Sequence, residues 1–459
     1  MRLAGASAVS VWDVSETATA QSTAARLRAT GVEVSLGPGS RPSLEHVGCV
    51  VKSPGIPLQS PLLEGARRAG VTVIDELELG WRLSKRRLVG VTGTNGKTTT
   101  TGMIAAAMGG VDQGGNTEFH PPLSALNRSG DPVACEVSSF QLEGSPELMG
   151  DVAVLTNLTR DHLHRHQTME AYGEAKRLLF ARKSRVAALA VVGVDQPFGM
   201  TLASQLEAAG AEIARVGCST AADYRLEDSR AQRHGWSLRA RTPGGVLEIA
   251  GLAPGRHNAL NALTAFAAAR LIGVEGPTAT AAIAATPPVP GRFEGIREGQ
   301  PFRVVVDFAH NPDAVRAALT AARAEAGGGR LLVVMSTAGT NDPGKRPAMG
   351  AAGRALSDRL IFTRDALFDE PIQSIWNGLL SGAASVGGDA PELDPDRRSA
   401  IASALSAARP GDFVAILGRG AIPHFSDDPD GRDPPFDDRV VTRELLGELG
   451  YSAGANADS

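Results

Sequence analysis

Cysteine is scarce in this chain. Three occur in 459 residues, at Cys49, Cys135 and Cys218. They are far apart, odd in number and in no CxxC spacing. That argues against a disulfide framework or a thiolate zinc site and fits a reducing compartment. Apolar runs of ~18 residues are missing as well, so no membrane-spanning helix is expected. The opening residues, MRLAGASAVSVWD, hold no apolar stretch ending in a cleavage site, and no secretory signal is expected. Charge of one sign is lacking too. Lys plus Arg number 46 against 50 Asp plus Glu, a net charge of −4. This balance argues against a nucleic-acid coat or a polybasic membrane binder. The short run Lys85-Arg86-Arg87 reads as solvated surface. No tandem repeat and no long low-complexity tract appears.

What is present is globular. Hydrophobic residues make up 42% and charged residues 21%, and the length predicts two to four domains. Short β-branched runs alternate with Ala-rich stretches of helical length. The runs are 88–92, 152–155, 303–307, 330–335 and 413–417. Such alternation predicts an α/β fold, and continuous apolar strands predict parallel sheets buried on both faces. Three blocks follow: 1–83, 84–289 and 290–459. The tail SAGANADS is expected to be disordered.

The strongest signal is Gly90-Val-Thr-Gly93-Thr94-Asn95-Gly96-Lys97-Thr98-Thr99-Thr100, set between an apolar run and a helical stretch over 101–108. Glycines let the backbone wrap around phosphates, with N–H groups and a helix N-terminus facing the anion. Lys97 would reach the β- and γ-phosphates, and the Thr98 hydroxyl would ligate Mg²⁺. The string departs from GxxxxGK[ST] at Val91. A second signal is Glu136 in Cys135-Glu136-Val137-Ser138-Ser139-Phe140-Gln141-Leu142. A carboxylate at a strand end facing a phosphate loop suits a Mg²⁺ ligand; the alternative is a surface Glu beside a core Phe. Asp161-His162 follows another strand and could be a helix cap and a surface His. Asn258 and Asn261 lie three apart on one helical face and could read an adenine edge; the alternative for Asn258 is an N-cap.

Gly93-Thr94-Asn95-Gly96-Lys97-Thr98 resembles the ATP-binding loop of the Mur ligases, the amide-bond ligases of peptidoglycan precursor synthesis. The likeness recurs in EVSSFQL, in NLTRDHL followed by Tyr172-Gly-Glu-Ala-Lys176, in Gly255-Arg256-His257-Asn258-Ala-Leu-Asn261, in Pro290-Gly291-Arg292-Phe293-Glu294 and in VVVDFAHNPD. The resemblance implies three domains: a Rossmann-like N-terminal domain for the precursor, a central P-loop ATPase and a Rossmann-like C-terminal domain for the amino acid. It implies ATP and two Mg²⁺, held by Thr98, Glu136, His162 and a carbamylated Lys176. It places Gly93, Thr94, Asn95, Gly96, Lys97, Thr98, Thr99, Asn258, Asn261, Arg292 and Asp307 at the nucleotide, with Lys97, Lys176, His162 and Arg292 catalytic. Asp13, Ser53, Pro54, Gly55, Asn116 and Ser138 would contact the precursor.

The likeness is mixed. EVSSFQL and the N-terminal VVKSPGIP…VTVIDELELGW resemble the MurD type, which adds glutamate to a muramoyl-alanine. NLTRDHL…TMEAYGEAK, His310 and Lys345-Arg346-Pro347 resemble the MurE type, which adds the third residue. The family's first strand and Gly-rich loop have no counterpart before Trp12. Where the MurE type carries Asn-Pro-Arg and Gly-Lys-Gly-His-Glu, this chain reads Thr363-Arg364-Asp365-Ala366-Leu367-Phe368 and Gly418-Arg419-Gly420-Ala421-Ile422. That argues against diaminopimelate or lysine and leaves a small or acidic amino acid, with Arg364 or Arg419 as a carboxylate partner. The expected function is therefore ATP-dependent ligation of glutamate, D or L, to UDP-N-acetylmuramoyl-L-alanine. A ligase acting on a non-UDP acid is the first alternative, and a non-catalytic nucleotide-binding subunit is another. Small-molecule substrates, a cytoplasmic location and a monomer are expected, with no nucleic-acid or membrane partner.

Overall fold

The structure, a computed structural model, describes residues 6–39, 43–84, 86–117, 119–126, 132–183, 185–232, 235–340, 342–423 and 435–452. Lys85 of the basic run and the tail from 453 onward lie outside the described residues. Arg86 is not solvated surface. It is buried, its guanidinium 2.7 Å from Asp112 and also donating to the Pro132 carbonyl.

The first block is two β-α-β units. Strand β1 (Ser10–Asp13), helix α1 (Ala18–Ala29) and strand β2 (Glu33–Leu36) form one parallel pair. Strand β3 (Cys49–Lys52), helix α2 (Pro61–Arg68) and strand β4 (Thr72–Asp75) form another, followed by helix α3 (Glu76–Leu83). The second pair is anchored by a fully buried ion pair, Lys52 to Asp75 at 2.7 Å. The Asp75 amide donates to the Gly144 carbonyl, and the buried Glu78 carboxylate accepts from the Leu148 amide at 2.9 Å. Both contacts tie the first block to the second.

The second block carries β5 (Leu88–Thr92), α4 (Lys97–Ala107), β6 (Gln113–Gly115), β7 (Val133–Glu136), α5 (Ser139–Glu143), β8 (Val152–Leu155), α6 (Leu163–His166) and α7 (Met169–Arg177). A short hairpin, β9 (Ala181–Arg182) and β10 (Arg185–Val186), precedes β11 (Leu189–Gly193), α8 (Pro197–Ala208) and β12 (Glu212–Gly217). The antiparallel strands β13 (Tyr224–Gln232), β14 (Gly235–Thr242) and β15 (Gly245–Leu252) lead to α9 (Arg256–Leu271) and α10 (Gly276–Ala284). The sheet runs β15-β14-β13-β12-β11-β8-β5-β7-β6. β5 is central, every residue of LVGVT is buried, and its parallel neighbours are β7 and β8. Strands shielded on both faces need no polar alternation, which is why the apolar runs were legible. Ala-rich α9 lies against α4 and the sheet; its small side chains allow burial nearly all round.

The third block has its own sheet, order β16-β17-β21-β18-β19-β20, from β16 (Glu294–Ile296), β17 (Arg303–Asp307), β18 (Leu331–Met335), β19 (Arg359–Phe362), β20 (Glu392–Leu393) and β21 (Phe413–Leu417). Only β16 is antiparallel to its neighbour. Helices α11 (Pro312–Ala326), α12 (Arg346–Leu356), α13 (Ile372–Val386), α14 (Arg397–Ala407) and α15 (Asp438–Glu448) cover it. Two sequence expectations shift slightly. The run expected from 330 begins at Leu331, because the Arg330 side chain is drawn onto Asp412. The helix expected from 101 begins at Lys97, because the phosphate loop supplies its first turn. No helix among the described residues is long and apolar enough to cross a membrane.

Candidate active site

Strand β5 delivers the Gly-rich loop at its C-terminal end, where open parallel sheets bind ligands. Gly96 caps α4 in the left-handed region, φ 85°. A Cβ there would also collide with the Asn261 amide, so geometry and space both require glycine. The loop is pinned from β8: the Asn95 amide donates to Asn157 Oδ1 at 2.9 Å, and Thr156 Oγ1 donates to the Asn95 carbonyl at 2.7 Å. β7 supplies Glu136, whose Oε2 accepts from Thr98 Oγ1 at 2.6 Å. The hydroxyl and carboxylate expected to share a cation are thus in contact.

A cavity of about 560 Å³ opens over this loop. From the second block it is lined by Thr94 to Thr99, Asn116, Glu136, Asp161, His162, Asn258 and Asn261. From the third it takes Arg292, Asp307, His310, Lys345, Asp365 and Phe368, among others. Burial lowers the pKa of Lys97, with Glu136 opposing. Arg292 stacks on Phe308, 4.3 Å from the ring centroid. Asp307 accepts from the Phe293 and Ala309 amides at 2.6 and 2.8 Å. Burial raises its pKa, with Arg292 opposing. Asn258 donates to the Pro254 carbonyl and accepts from Asn261. The N-cap of α9 is Gly255, so capping is not the role of Asn258.

His162 sits at φ 58° as the N-cap of α6, and burial pushes its pKa down to about 3. Its Nδ1 is buried with no hydrogen-bond partner. Lys176 is buried behind the loop, outside the cavity lining, and donates to the Gly93 carbonyl at 2.7 Å. Burial, then the neighbouring charge of Lys97, holds its pKa well below the usual lysine value. A neutral amine is the form that can be carbamylated. Among the described residues no cluster of three or more His, Cys, Asp or Glu is arranged to hold a metal. A few protein oxygens beside a phosphate loop suit Mg²⁺, which keeps waters and substrate phosphates as ligands. The Thr98–Glu136 pair fits one such ion, and the orphaned His162 nitrogen fits a second.

The precursor candidates divide. Ser53, Pro54 and Asn116 line a second cavity of about 550 Å³, with Glu76, His120 and Gln141. Asn116 and Thr117 line both cavities, which therefore share a wall. Asp13 and Gly55 line neither; Asp13 accepts from the Ser15 amide. Ser138 also lies outside, its hydroxyl capping α5 by accepting from the Gln141 amide.

Sequence reasoning assigned no role to a junction between the second and third blocks. Asp161 is 3.2 Å from Lys345 Nζ and 3.2 Å from His310 Nε2, and it accepts from Asn311 Nδ2 at 3.3 Å. Burial alone would raise its carboxyl, but Lys345 and His310 outweigh that and hold it well below the usual range. Asn311 and Asn95 exchange amide hydrogen bonds at 2.8 and 3.2 Å. The available signal was Asn-Pro at 311–312, which marked a helix start; Asn311 does cap α11.

Comparison with known proteins agrees with this geometry. The Mur ligase middle domain pattern matches residues 91–269, and the Mur ligase glutamate ligase domain pattern matches 291–420. A Geobacillus kaustophilus protein named UDP-N-acetylmuramoyl-L-alanyl-D-glutamate–2,6-diaminopimelate ligase is 34% identical over 422 residues, covering 85% of this chain and 84% of its own. The chain belongs to the Mur ligase family. A Roseiflexus UDP-N-acetylmuramyl-tripeptide synthetase is also 34% identical, with 80% of each chain covered. The solved UDP-N-acetylmuramate–alanine ligase of Thermotoga maritima shares the fold at TM-score 0.60 and 19% identity, covering 96% of this chain and 99% of its own. This Mur ligase is an ATP-dependent acid–amino-acid ligase. The expectation that the glutamate-adding type stands nearest is corrected, because these relatives at 34% identity are named as third-residue ligases. The strings behind that expectation, EVSSFQL and the N-terminal segment, are short beside the 422 residues aligned with the diaminopimelate ligase.

Proposed function

We propose that this Mur ligase extends a UDP-muramoyl peptide by one amino acid, with UDP-N-acetylmuramoyl-L-alanyl-D-glutamate as the acid. The observation that carries the reading is the wall shared by the two cavities at Asn116 and Thr117. An acid seated beside Ser53 and Pro54 can extend its carboxylate past Asn116 toward the phosphate loop. We assign the precursor to block 1–83, ATP to 84–289 and the amino acid to 290–459.

A carboxylate oxygen attacks the γ-phosphorus, the bond to the β-phosphate oxygen breaks, and ADP leaves. The amino-acid nitrogen then attacks the acyl carbon, a C–N bond forms, phosphate departs and the nitrogen loses its proton. Lys97 and Arg292 offset the like charges of carboxylate and γ-phosphate, and catalysis rests mainly on such positioning. Thr98, Glu136 and His162 would hold Mg²⁺. Bound there, it supplies charge neutralisation of the transferring phosphoryl group. The amine of Lys176 is proposed to add to the carbon of CO₂. An N–C bond forms, a C=O electron pair moves to oxygen and the nitrogen proton leaves to solvent. The neutral amine becomes a carbamate anion.

For the amino acid, the third-block wall presents Ala338, Ala366, Phe368 and Ile422 beside the charged Asp313, Lys345, Asp365 and Arg419. Arg419, offered as a carboxylate partner, is buried and paired with Asp365 at 2.8 Å. Arg364 does not line the cavity. This favours a small amino acid over a diamino one. We keep a monomer acting in the cytoplasm as part of this proposal.

Phosphate release from ATP tests the reading. Assays pair the UDP-muramoyl dipeptide or UDP-muramoyl-alanine with diaminopimelate, lysine, each glutamate enantiomer and small neutral amino acids. Release requiring the dipeptide and a small amino acid is expected. Release with muramoyl-alanine and glutamate alone would restore the glutamate-adding assignment. Release with no UDP-muramoyl acid would move the search to other acids.

A further inference from the structure

Behind the phosphate loop, outside both cavities, lies an aromatic stack that the proposed reaction does not use. Lys176 Nζ sits 4.5 Å from the centroid of the Tyr172 ring, one helical turn earlier on α7. Tyr172 is buried, with its hydroxyl end beside Thr94 of the loop. The His166 ring stacks on Tyr172, centroids 5.1 Å apart and planes 26° apart. Both nitrogens of His166 are engaged: Nε2 lies 2.9 Å from Ser139 Oγ, and Nδ1 lies 3.2 Å from Glu143 Oε1. Glu143 also receives Arg165, at 2.7 Å. Ser139 and Glu143 stand one turn apart on α5, which begins just after Glu136 and is closed by a capping box of Ser138 and Gln141.

Each contact removes one freedom of Lys176. A long amine side chain has rotamer entropy to lose on fixing. Burial alone does not choose where the nitrogen points. The Tyr172 face and the Gly93 carbonyl do, from two sides. The imidazole in turn cannot rotate, because each nitrogen is held by a different residue of α5. The same short helix therefore follows Glu136 in the chain and, through His166 and Tyr172, sets the place of Lys176.

We infer that His166 and Tyr172 are positioning residues that hold the Lys176 nitrogen against the phosphate loop, with Ser139 and Glu143 orienting His166. This rests on the proposed role of Lys176 and adds the residues through which that role is built. Packing alone would need neither hydrogen bond on His166, since an apolar ring of similar size would fill the space.

The test uses the full-length protein as parent, Lys176→Ala, His166→Phe, Glu143→Gln, Tyr172→Leu and Tyr172→Phe. Thermal melts select folded variants. Two readouts follow: the carbamate ¹³C signal after incubation with ¹³C-bicarbonate, and protection of Lys176 from reductive methylation, read by peptide mass spectrometry. The parent should show a carbamate signal that Lys176→Ala lacks. Tyr172→Leu and His166→Phe should lose most of that signal and raise half-saturating bicarbonate by about tenfold, the scale expected when a reacting group is misplaced. Lys176 should become methylated in both. Glu143→Gln should fall between, and Tyr172→Phe should restore the signal. Folded variants with parental carbamate and parental protection would overturn the inference. A parent without a carbamate signal would instead remove the modification from the proposed function, and the methylation footprint would then decide the positioning.

Discussion

Replacing Asp161 by Asn tests the junction between the second and third blocks. The carboxylate is 1% exposed and faces Lys345, itself 1% exposed, at 3.2 Å. Removing one partner of a buried pair typically costs about 3–5 kcal/mol, because the other charge stays buried without a counterion. Here the protein has an escape. Lys345 belongs to the third block, so that block can swing away and rehydrate it. The cost then appears as lost closed population rather than as unfolding. At about 1.4 kcal/mol per tenfold, 3 kcal/mol corresponds to about a hundredfold loss in kcat/KM. The melting temperature should move little. The pair Arg160–Asp342 at 2.8 Å spans the same junction, with the arginine side chain 46% exposed and the aspartate side chain 4%. Arg160→Met should cost less than Asp161→Asn, because solvent screens the guanidinium side of this pair. Adding Lys345→Met to Asp161→Asn should recover part of the loss, since an apolar pair replaces a half-broken ionic one. Phosphate-release kinetics and melts on the parent, the single variants Asp161→Asn, Lys345→Met and Arg160→Met, and the double variant decide the matter. Asp161→Asn within threefold of the parent, or a double variant worse than the sum of the singles, would refute the account.

Four further outcomes are expected. Glu136→Gln should lower kcat by about a hundredfold or more, through loss of charge-assisted phosphoryl transfer, while leaving metal-free nucleotide affinity near parental; equilibrium binding with and without Mg²⁺ checks the split. Gly96→Ala should abolish nucleotide binding, because φ 85° and the Asn261 amide both exclude a Cβ; parental affinity would contradict this. Asn311→Ala removes the cap on α11 and leaves the Asn95 amide without its mutual partner, at about 1–3 kcal/mol, read by denaturant titration. In the metal-free protein, burial lowers the His162 pKa to about 3 and the His257 pKa to about 4. The unfolded chain therefore binds more protons between those values and ~6.5, and stability must fall as pH drops below ~6.5. Melts from pH 7.5 to 5 check the sign, and His257→Gln should flatten the slope.

The readable parts of the fold and site are those fixed locally. β5, β8, β17 and β21 matched their sequence runs because strands covered on both faces must be apolar throughout. The loop from Gly93 to Thr98 was legible because phosphate wrapping demands glycine, lysine and threonine at fixed offsets. The meeting of Glu136 with the loop was legible because its strand ends beside Thr98, whose hydroxyl donates to it. The pairing of strands was not. Nothing near Leu88 states that β7 and β8 flank β5. Arg86, in a basic run, gave no sign that Asp112 would draw it inward. Arg419 looked available for a carboxylate until the fold set Asp365 against it, 54 positions away in the chain.

The Asp161 junction shows why the remaining information was out of reach and why it matters for the chemistry. Its partners Asn311 and Lys345 lie 150 and 184 positions further along the chain. Each has a local reading that is complete without Asp161: Asn311 caps a helix, and Lys345 begins a basic pair with Arg346. Only the closed arrangement shows that one carboxylate receives both. The same residue adjoins His162, whose backbone amide donates to Asp161 Oδ1 at 2.9 Å. Closure is thus registered one residue from a proposed cation ligand, and Asn311 carries the contact on to the phosphate loop through Asn95. An acyl phosphate formed with the third block open would meet water. Routing the closing contacts through the residue before His162 and through Asn95 of the loop links the site's geometry to the arrival of the block proposed to bring the amine. If that is so, Asp161→Asn should raise the ratio of ATP hydrolysed to amide formed, as well as slow the enzyme. Measuring both products in one reaction separates this from a simple loss of affinity, which would leave the ratio unchanged.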